Sequence, residues 1–191
     1  MYAKPALSGP PLCVGMAGTF DIENYGDLLF PLIAAAALKR RDRRIQIVPF
    51  SVNGKMDSSW PFPVRPTEEI IASIPSLSAM LIGGGQIVRF DDRYYPVPVP
   101  ADVDMPVAYW LIPALQAALV GKPVIWNAVG VCTGSLRAPW YDALLRQVLA
   151  ASYFIGVRDV VSQNDLAQRA PNAGIEFLPD TAFGLSRLWP L

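Results

Sequence analysis

Residues 12–27 read LCVGMAGTFDIENYGD, and this stretch decides the fold. Leu12 to Gly18 is a short apolar run, the pattern of a strand buried on both faces, and it is stopped by a glycine. A polar loop follows, carrying Asp21, Glu23, Asn24 and Asp27. A helical segment then runs to about Arg41, where Lys39, Arg40 and Arg41 suit the negative pole of a helix dipole. Pro31 has no N–H to donate and is cheap only near a first turn. The helix is therefore expected to begin close to Asp27 or Leu28, or to kink at the proline. Gly18 and Gly26 permit tight turns. The free N–H groups of the helix start can grip a phosphate or a sugar hydroxyl.

Working outward, the same alternation of short apolar runs with longer helical ones continues along the chain. Strands are expected at Ile45–Val52, Ala79–Ile82, Pro123–Val131, Tyr153–Val157 and Ile175–Leu178. Helices are expected at Thr67–Ile74, Asp104–Val120, Trp140–Ala151 and Val160–Arg169, with Tyr94–Pro100 an extended, proline-rich loop. The segment Asp104–Val120 is apolar on nearly every side, which predicts a buried or interface helix. The pattern is that of an α/β protein, a Rossmann-like doubly wound parallel sheet of about six strands, in a single domain over residues 1–191.

Composition narrows the chemistry. Of 191 residues, 52% are hydrophobic and 17% charged, a balance that excludes disorder. Sixteen basic and sixteen acidic residues cancel, so no global field draws the chain to nucleic acid or an anionic membrane. There is no histidine, which removes the commonest general acid–base residue and metal ligand. Cys13 and Cys132 stand far apart in apolar runs, as expected of two buried thiols in a reducing cytoplasm. No signal peptide is visible, and Pro106–Val120 is too short for a membrane helix, so a cytoplasmic protein without a membrane span is expected.

In open parallel sheets, ligands bind beyond the carboxyl ends of the strands. The polar loops fall at those ends: Asp21–Asp27, the triple glycine Gly83-Gly84-Gly85, Arg158-Asp159 and Asp180. Each has a structural alternative. The glycines can simply let a strand turn, and they do not complete a GxGxxG fingerprint because Val88 stands at the third glycine. Arg158 can pair with a neighbouring carboxylate, and Asp27 can serve as a helix N-cap. Among the tryptophans, Trp126 reads as core, whereas Trp60 and Trp110 are the candidates for stacking on a sugar.

The loop Asp21–Asp27, followed by Leu28 and Leu29, resembles the N-x-GD signature that opens polysaccharide pyruvyl transferases. Three further features occur in the family's order. They are the strand into Gly83-Gly84-Gly85, the turn Gly156-Val157-Arg158-Asp159 with Ser162 and Leu166 after it, and Pro179-Asp180-Thr181-Ala182-Phe183. The resemblance implies one lobe of a two-lobed, GT-B-like architecture with its active site between lobes. It implies transfer of a pyruvyl group from phosphoenolpyruvate onto two hydroxyls of a saccharide acceptor, forming a ketal in cell-surface polysaccharide synthesis, with no cofactor and no metal. Asp21, Asn24, Gly26, Asp27, Gly84, Gly85, Arg158 and Asp180 are the substrate-binding positions it suggests.

The family's C-terminal lobe usually supplies a histidine and further arginines, and this chain has no histidine. The expectation is a fragment or half-protein, inactive alone, completed by a missing C-terminal lobe, by another subunit or by a homo-oligomer. The opening loop suits holding hydroxyls or phosphate, with the proton donor coming from elsewhere. Two rival readings stand beside this one: a GT-B-like lobe using a nucleotide sugar, and a non-catalytic Rossmann-like scaffold.

Overall fold

The computed structural model describes residues 9–89, 105–132 and 139–188. In chain order it begins with β1 (Leu12–Ala17), α1 (Tyr25–Arg41), β2 (Ile45–Ser51) and β3 (Arg65–Pro66). A one-turn α2 (Ile70–Ser73) lies between 3-10 turns at Thr67–Glu69 and Ile74–Ser76. Then come β4 (Ala79–Gly83), β5 (Val88–Arg89), α3 (Met105–Leu119), β6 (Val124–Val129), β7 (Val131–Cys132) and α4 (Pro139–Ala151). The chain closes with β8 (Phe154–Val157), α5 (Val160–Arg169), β9 (Ile175–Phe177), a 3-10 turn at Thr181–Gly184 and α6 (Leu185–Leu188).

Seven strands form one parallel sheet in the order β3-β2-β1-β4-β6-β8-β9. The order runs outward in both directions from the β1–β4 pair, so the topological switch point lies there. Each face of the sheet has its own core. On one face Val14, Met16 and Leu81 pack with Phe30 and Ala34 of α1. On the other, Met80, Ile82, Val124 and Trp126 pack with Tyr109, Trp110 and Ala114 of α3 and Leu145 and Val148 of α4. This is the α/β, Rossmann-like sheet expected, covered by helices on both faces.

The differences have physical causes. The seventh strand, β3, is two residues long and includes Pro66, too short for any periodicity to reveal. The helix expected over Thr67–Ile74 breaks into three short turns, the last containing Pro75. The strand expected from Pro123 to Val131 is interrupted because buried Ala128 takes φ 51° and the register with β8 shifts there. Beyond that break, β7 leaves the main sheet and pairs with β5. Helix α1 begins at Tyr25, earlier than Asp27, and runs through Pro31. The proline leaves the Asp27 carbonyl without its usual helical donor. Trp110 is fully buried, its ring centroid 5.9 Å from that of Trp126, so it belongs to the core and is no stacking platform. Cys13 and Cys132 are free thiols, half-buried where full burial was expected. The loop Tyr94–Pro100 lies outside the described residues. Among the described residues, no helix is long and apolar enough to cross a membrane.

Candidate functional site

The carboxyl ends of β1 and β4 meet the start of α1. Asn24 caps that helix: its Oδ1 accepts from Gly26 N at 3.1 Å. Asn24 also donates through Nδ2 to Asp27 Oδ2, 2.9 Å away. Asp27 is therefore the third residue of the helix, and the capping role open to it in the sequence belongs to Asn24. Its Oδ2 accepts a second hydrogen bond from the Thr19 hydroxyl, 2.7 Å away.

Burial pushes the Asp27 carboxyl above the usual aspartate range. The Thr19 hydroxyl, the Arg158 guanidinium and Asn24 pull in the opposite direction, while the charge of Asp180 adds to the rise. A carboxyl of raised pKa at a strand end carries a proton to higher pH than a surface aspartate does, which is what a general acid needs.

The triple glycine is built around this carboxylate. Gly84 and Gly85 both have positive φ, 95° and 69°. A side chain on Gly84 would enter the Phe30 ring, and a Cβ on Gly85 would lie 2.6 Å from Asp27 Oδ1. Gly85 then links the loop to the far side of the site, since its carbonyl accepts from Gly130 N at 2.9 Å. Arg158 lies over Gly130, where an added Cβ would meet its Nε at 2.7 Å. Arg158 Nη1 donates to Asp180 Oδ2 at 3.2 Å, and its Nε is 3.8 Å from Asp159 Oδ2. Asp180 in turn caps the 3-10 turn at Thr181–Gly184, with Oδ1 accepting from Ala182 N at 2.9 Å.

Of the eight positions suggested by the sequence, Asn24, Gly26, Asp27, Gly84, Gly85, Arg158 and Asp180 thus share one chain of contacts and charge around the switch point. Asp21 belongs to another set. Its Oδ1 is 2.6 Å from the buried Ser51 hydroxyl and 3.4 Å from the Tyr109 hydroxyl, and its Oδ2 accepts from Asn53 N at 2.9 Å. These bonds tie the first loop to the end of β2 and to α3, a positioning task. Trp60 donates to the Phe20 carbonyl and carries the Lys55 ammonium 5.1 Å above its ring, so that face is already occupied.

Two contributors escaped the sequence reading. Thr19 is a hydroxyl inside the quoted loop, and its position between Gly18 and Phe20 was the available signal. Gly130 stands just past a strand end, where a bare backbone lets the long Arg158 side chain lie flat. Among the described residues, no group of three or more metal-ligating side chains is assembled.

No curated protein matches the sequence. Among solved structures, the chain is similar to the crystal structure of an AraC family transcriptional regulator from Pseudomonas putida, with 14% identity and a TM-score of 0.44. That match covers 95% of this chain and 93% of that one, and a likeness at this TM-score carries no argument. The family model for polysaccharide pyruvyl transferase, in contrast, matches residues 24–191, from the helix cap Asn24 through Arg158 and Asp180. The chain belongs to the polysaccharide pyruvyl transferase family.

Proposed function

We propose that the chain forms the switch-point half of a ketal-forming pyruvyl transferase, using phosphoenolpyruvate as donor and a saccharide as acceptor. The observation that carries this reading is a carboxyl pushed up by burial, Asp27, at the β1–β4 switch point, within the charge influence of a guanidinium, Arg158, that follows β8 on the same edge of the sheet. A donor with a carboxylate and a phosphate needs a cation, and its vinyl group needs a proton. Arg158 can supply the first. Because burial raises its pKa, Asp27 can supply the second, in place of the proton donor from elsewhere that the sequence led us to expect.

In this mechanism Arg158 holds an anionic group of the donor, helped by N–H groups at the start of α1. Protonated Asp27 gives its proton to the terminal vinyl carbon while a saccharide hydroxyl adds to the neighbouring carbon. The resulting carboxylate takes up the proton of that hydroxyl. Phosphate then leaves, and a second hydroxyl bonds to the same carbon, its proton passing to the departing phosphate as the ketal closes. The balance is one phosphoenolpyruvate and two hydroxyls giving one ketal and inorganic phosphate. Asn24 and Thr19 set the orientation of Asp27, and Asp180 sets that of Arg158. Gly84 and Gly85 let the loop approach.

Arg158 already shares its charge with Asp180 and Asp159, so a donor carrying two anionic groups calls for further cations. We assign these to a second, GT-B-like lobe or to another subunit closing over the carboxyl edge of the sheet. The reaction would then take place in the cytoplasm, in the synthesis of cell-surface polysaccharide. Acceptor-dependent release of phosphate from phosphoenolpyruvate by the complete protein tests the chemistry. Consumption of a nucleotide sugar, with phosphoenolpyruvate left intact, would replace it with glycosyl transfer.

A further inference from the structure

Ser162 is buried, 1% exposed, in the first turn of α5, and pyruvyl transfer as set out above gives it no task. Its two polar groups reach in different directions. Its N–H donates to Asp159 Oδ1 at 2.7 Å, the bond that caps α5. Its Oγ accepts from Val131 N at 2.8 Å, a buried contact that crosses from α5 to the start of β7. Each bond ends beside Arg158. The other oxygen of Asp159 is 3.8 Å from Arg158 Nε, and Val131 directly follows Gly130, over which the guanidinium lies.

The backbone under that guanidinium needs holding. Ala128 takes φ 51°, a left-handed conformation that an alanine seldom adopts, and the register between β6 and β8 shifts there. Such a conformation persists only where the surroundings over-determine it. On one side the Gly130 shelf is tied to the triple-glycine loop and its sequel: Gly130 N donates to the Gly85 carbonyl at 2.9 Å, and Val88 N to the Gly130 carbonyl at 3.1 Å. Arg158 N donates to the Val129 carbonyl at 3.1 Å, which fixes the main chain of the arginine and leaves its side chain to the shelf. On the α5 side, where β7 has left the main sheet, the tie is Ser162 Oγ. An alanine at 162 would keep the helix cap, because that bond uses the main-chain N–H. It would leave the buried Val131 N–H without this acceptor, a penalty larger than the net worth of an ordinary hydrogen bond, and the shelf would shift to find another.

We propose that Ser162 is a positioning residue for donor binding: through Val131 and Gly130 it sets the plane of the Arg158 guanidinium at the carboxyl edge of the sheet. It touches no substrate itself. A guanidinium grips an anion through two parallel hydrogen bonds, so a tilt of its plane removes one of them. The proposal rests on the pyruvyl transfer reading for the identity of the anion, whereas the linkage from Ser162 to Arg158 does not depend on it.

The test sets Ser162→Ala beside wild type in the complete protein, by calorimetric titration with phosphoenolpyruvate and by steady-state transfer. Binding should weaken about fivefold, the scale of coupling within one hydrogen-bonded network. KM should rise with it while kcat stays near wild type, because the arginine holds the donor's anion in ground state and transition state alike. On the Arg158→Gln background the same substitution should have no further effect on donor affinity. Ser152→Ala removes the acceptor of the Trp126 indole N–H, just before β8 at the opposite edge of the sheet. It should lower the melting temperature and leave donor affinity unchanged. Ser162→Cys keeps the shape with a weaker acceptor and should act in the same direction, which decides the matter if the alanine variant does not fold. The NMR resonance of Arg158 Nε–Hε, identified by its loss in Arg158→Gln, reads the side chain without any donor and should shift in Ser162→Ala. Unchanged donor affinity in the Ser162 variants, or equal weakening in both Arg158 backgrounds, would overturn the proposal. If phosphoenolpyruvate does not bind wild type, the donor reading fails by itself. A shifted Arg158 resonance would then uphold the linkage, and an unmoved one would overturn it.

Discussion

Arg158 Nη1 lies 3.2 Å from Asp180 Oδ2, an ion pair that joins the turns following two neighbouring strands at the carboxyl edge of the sheet. Both side chains are about three-quarters shielded, with 27% and 21% exposure, so the pair is neither a solvated surface contact nor a buried one. A double-mutant cycle on Arg158→Gln and Asp180→Asn, followed by chemical denaturation, should give a coupling of about 1 kcal/mol. A coupling near zero would mean that the two residues share the edge without holding each other.

Asn24 has two separable duties, capping α1 and donating to Asp27. Asn24→Ala removes both and should cost about 1 kcal/mol of stability. Asn24→Asp keeps a capping oxygen but replaces the donor with a second carboxylate. It should leave stability closer to wild type while raising the Asp27 pKa further, because a like charge disfavours ionisation. Carbon-13 NMR titration of the Asp27 carboxyl, compared between wild type and Asn24→Asp, checks the direction.

Asp27 itself links stability to pH. Its pKa is raised in the folded protein, chiefly by burial. The associated stability is fully present below the pKa of the unfolded carboxyl and is lost as pH rises through the folded value. Asp27→Asn should therefore melt higher than wild type at neutral pH, by about 2–4 °C for each kcal/mol relieved, and the difference should vanish in acid. Transfer activity should fall at the same time. A variant that melts lower at neutral pH would show that the ionised carboxylate is a net stabiliser.

Gly85→Ala meets two obstacles, a left-handed backbone and the Asp27 oxygen 2.6 Å from the new Cβ. It should cost about 1–3 kcal/mol and should also change the Asp27 titration. Gly121 shares a similar φ of 70° but has open space around its Cβ position. Gly121→Ala is therefore the control for backbone strain without the clash, and only Gly85→Ala should disturb the carboxyl.

Much of this was legible in the sequence. The alternation of apolar runs fixed the sheet because each run is long enough to cross it, and the polar residues then fell at one edge. What the pattern did not place correctly was the start of the helix: the sequence offered Asp27 as its cap, and Asn24 holds that position. Pro31 biased that choice towards the later residue, since a proline inside a helix is costly. The left-handed Ala128 was invisible as well, because nothing in an alanine announces a positive φ, yet it is where β6 turns to bring Gly130 beneath Arg158. Burial separated Trp60 from Trp110 for a similar reason: both neighbour prolines in sequence, and only the packing of α3 on β6 puts Trp110 in the core.

The most direct measurement is a calorimetric titration of the complete protein with phosphoenolpyruvate, set beside Arg158→Gln and Asp27→Asn. Wild type should bind the donor, and Arg158→Gln should weaken it at least tenfold, a loss of about 1.4 kcal/mol or more. Asp27→Asn should bind about as well as wild type but release no phosphate. Donor affinity indifferent to Arg158, or full phosphate release without the Asp27 carboxyl, would contradict the placement of pyruvyl transfer at the β1–β4 switch point.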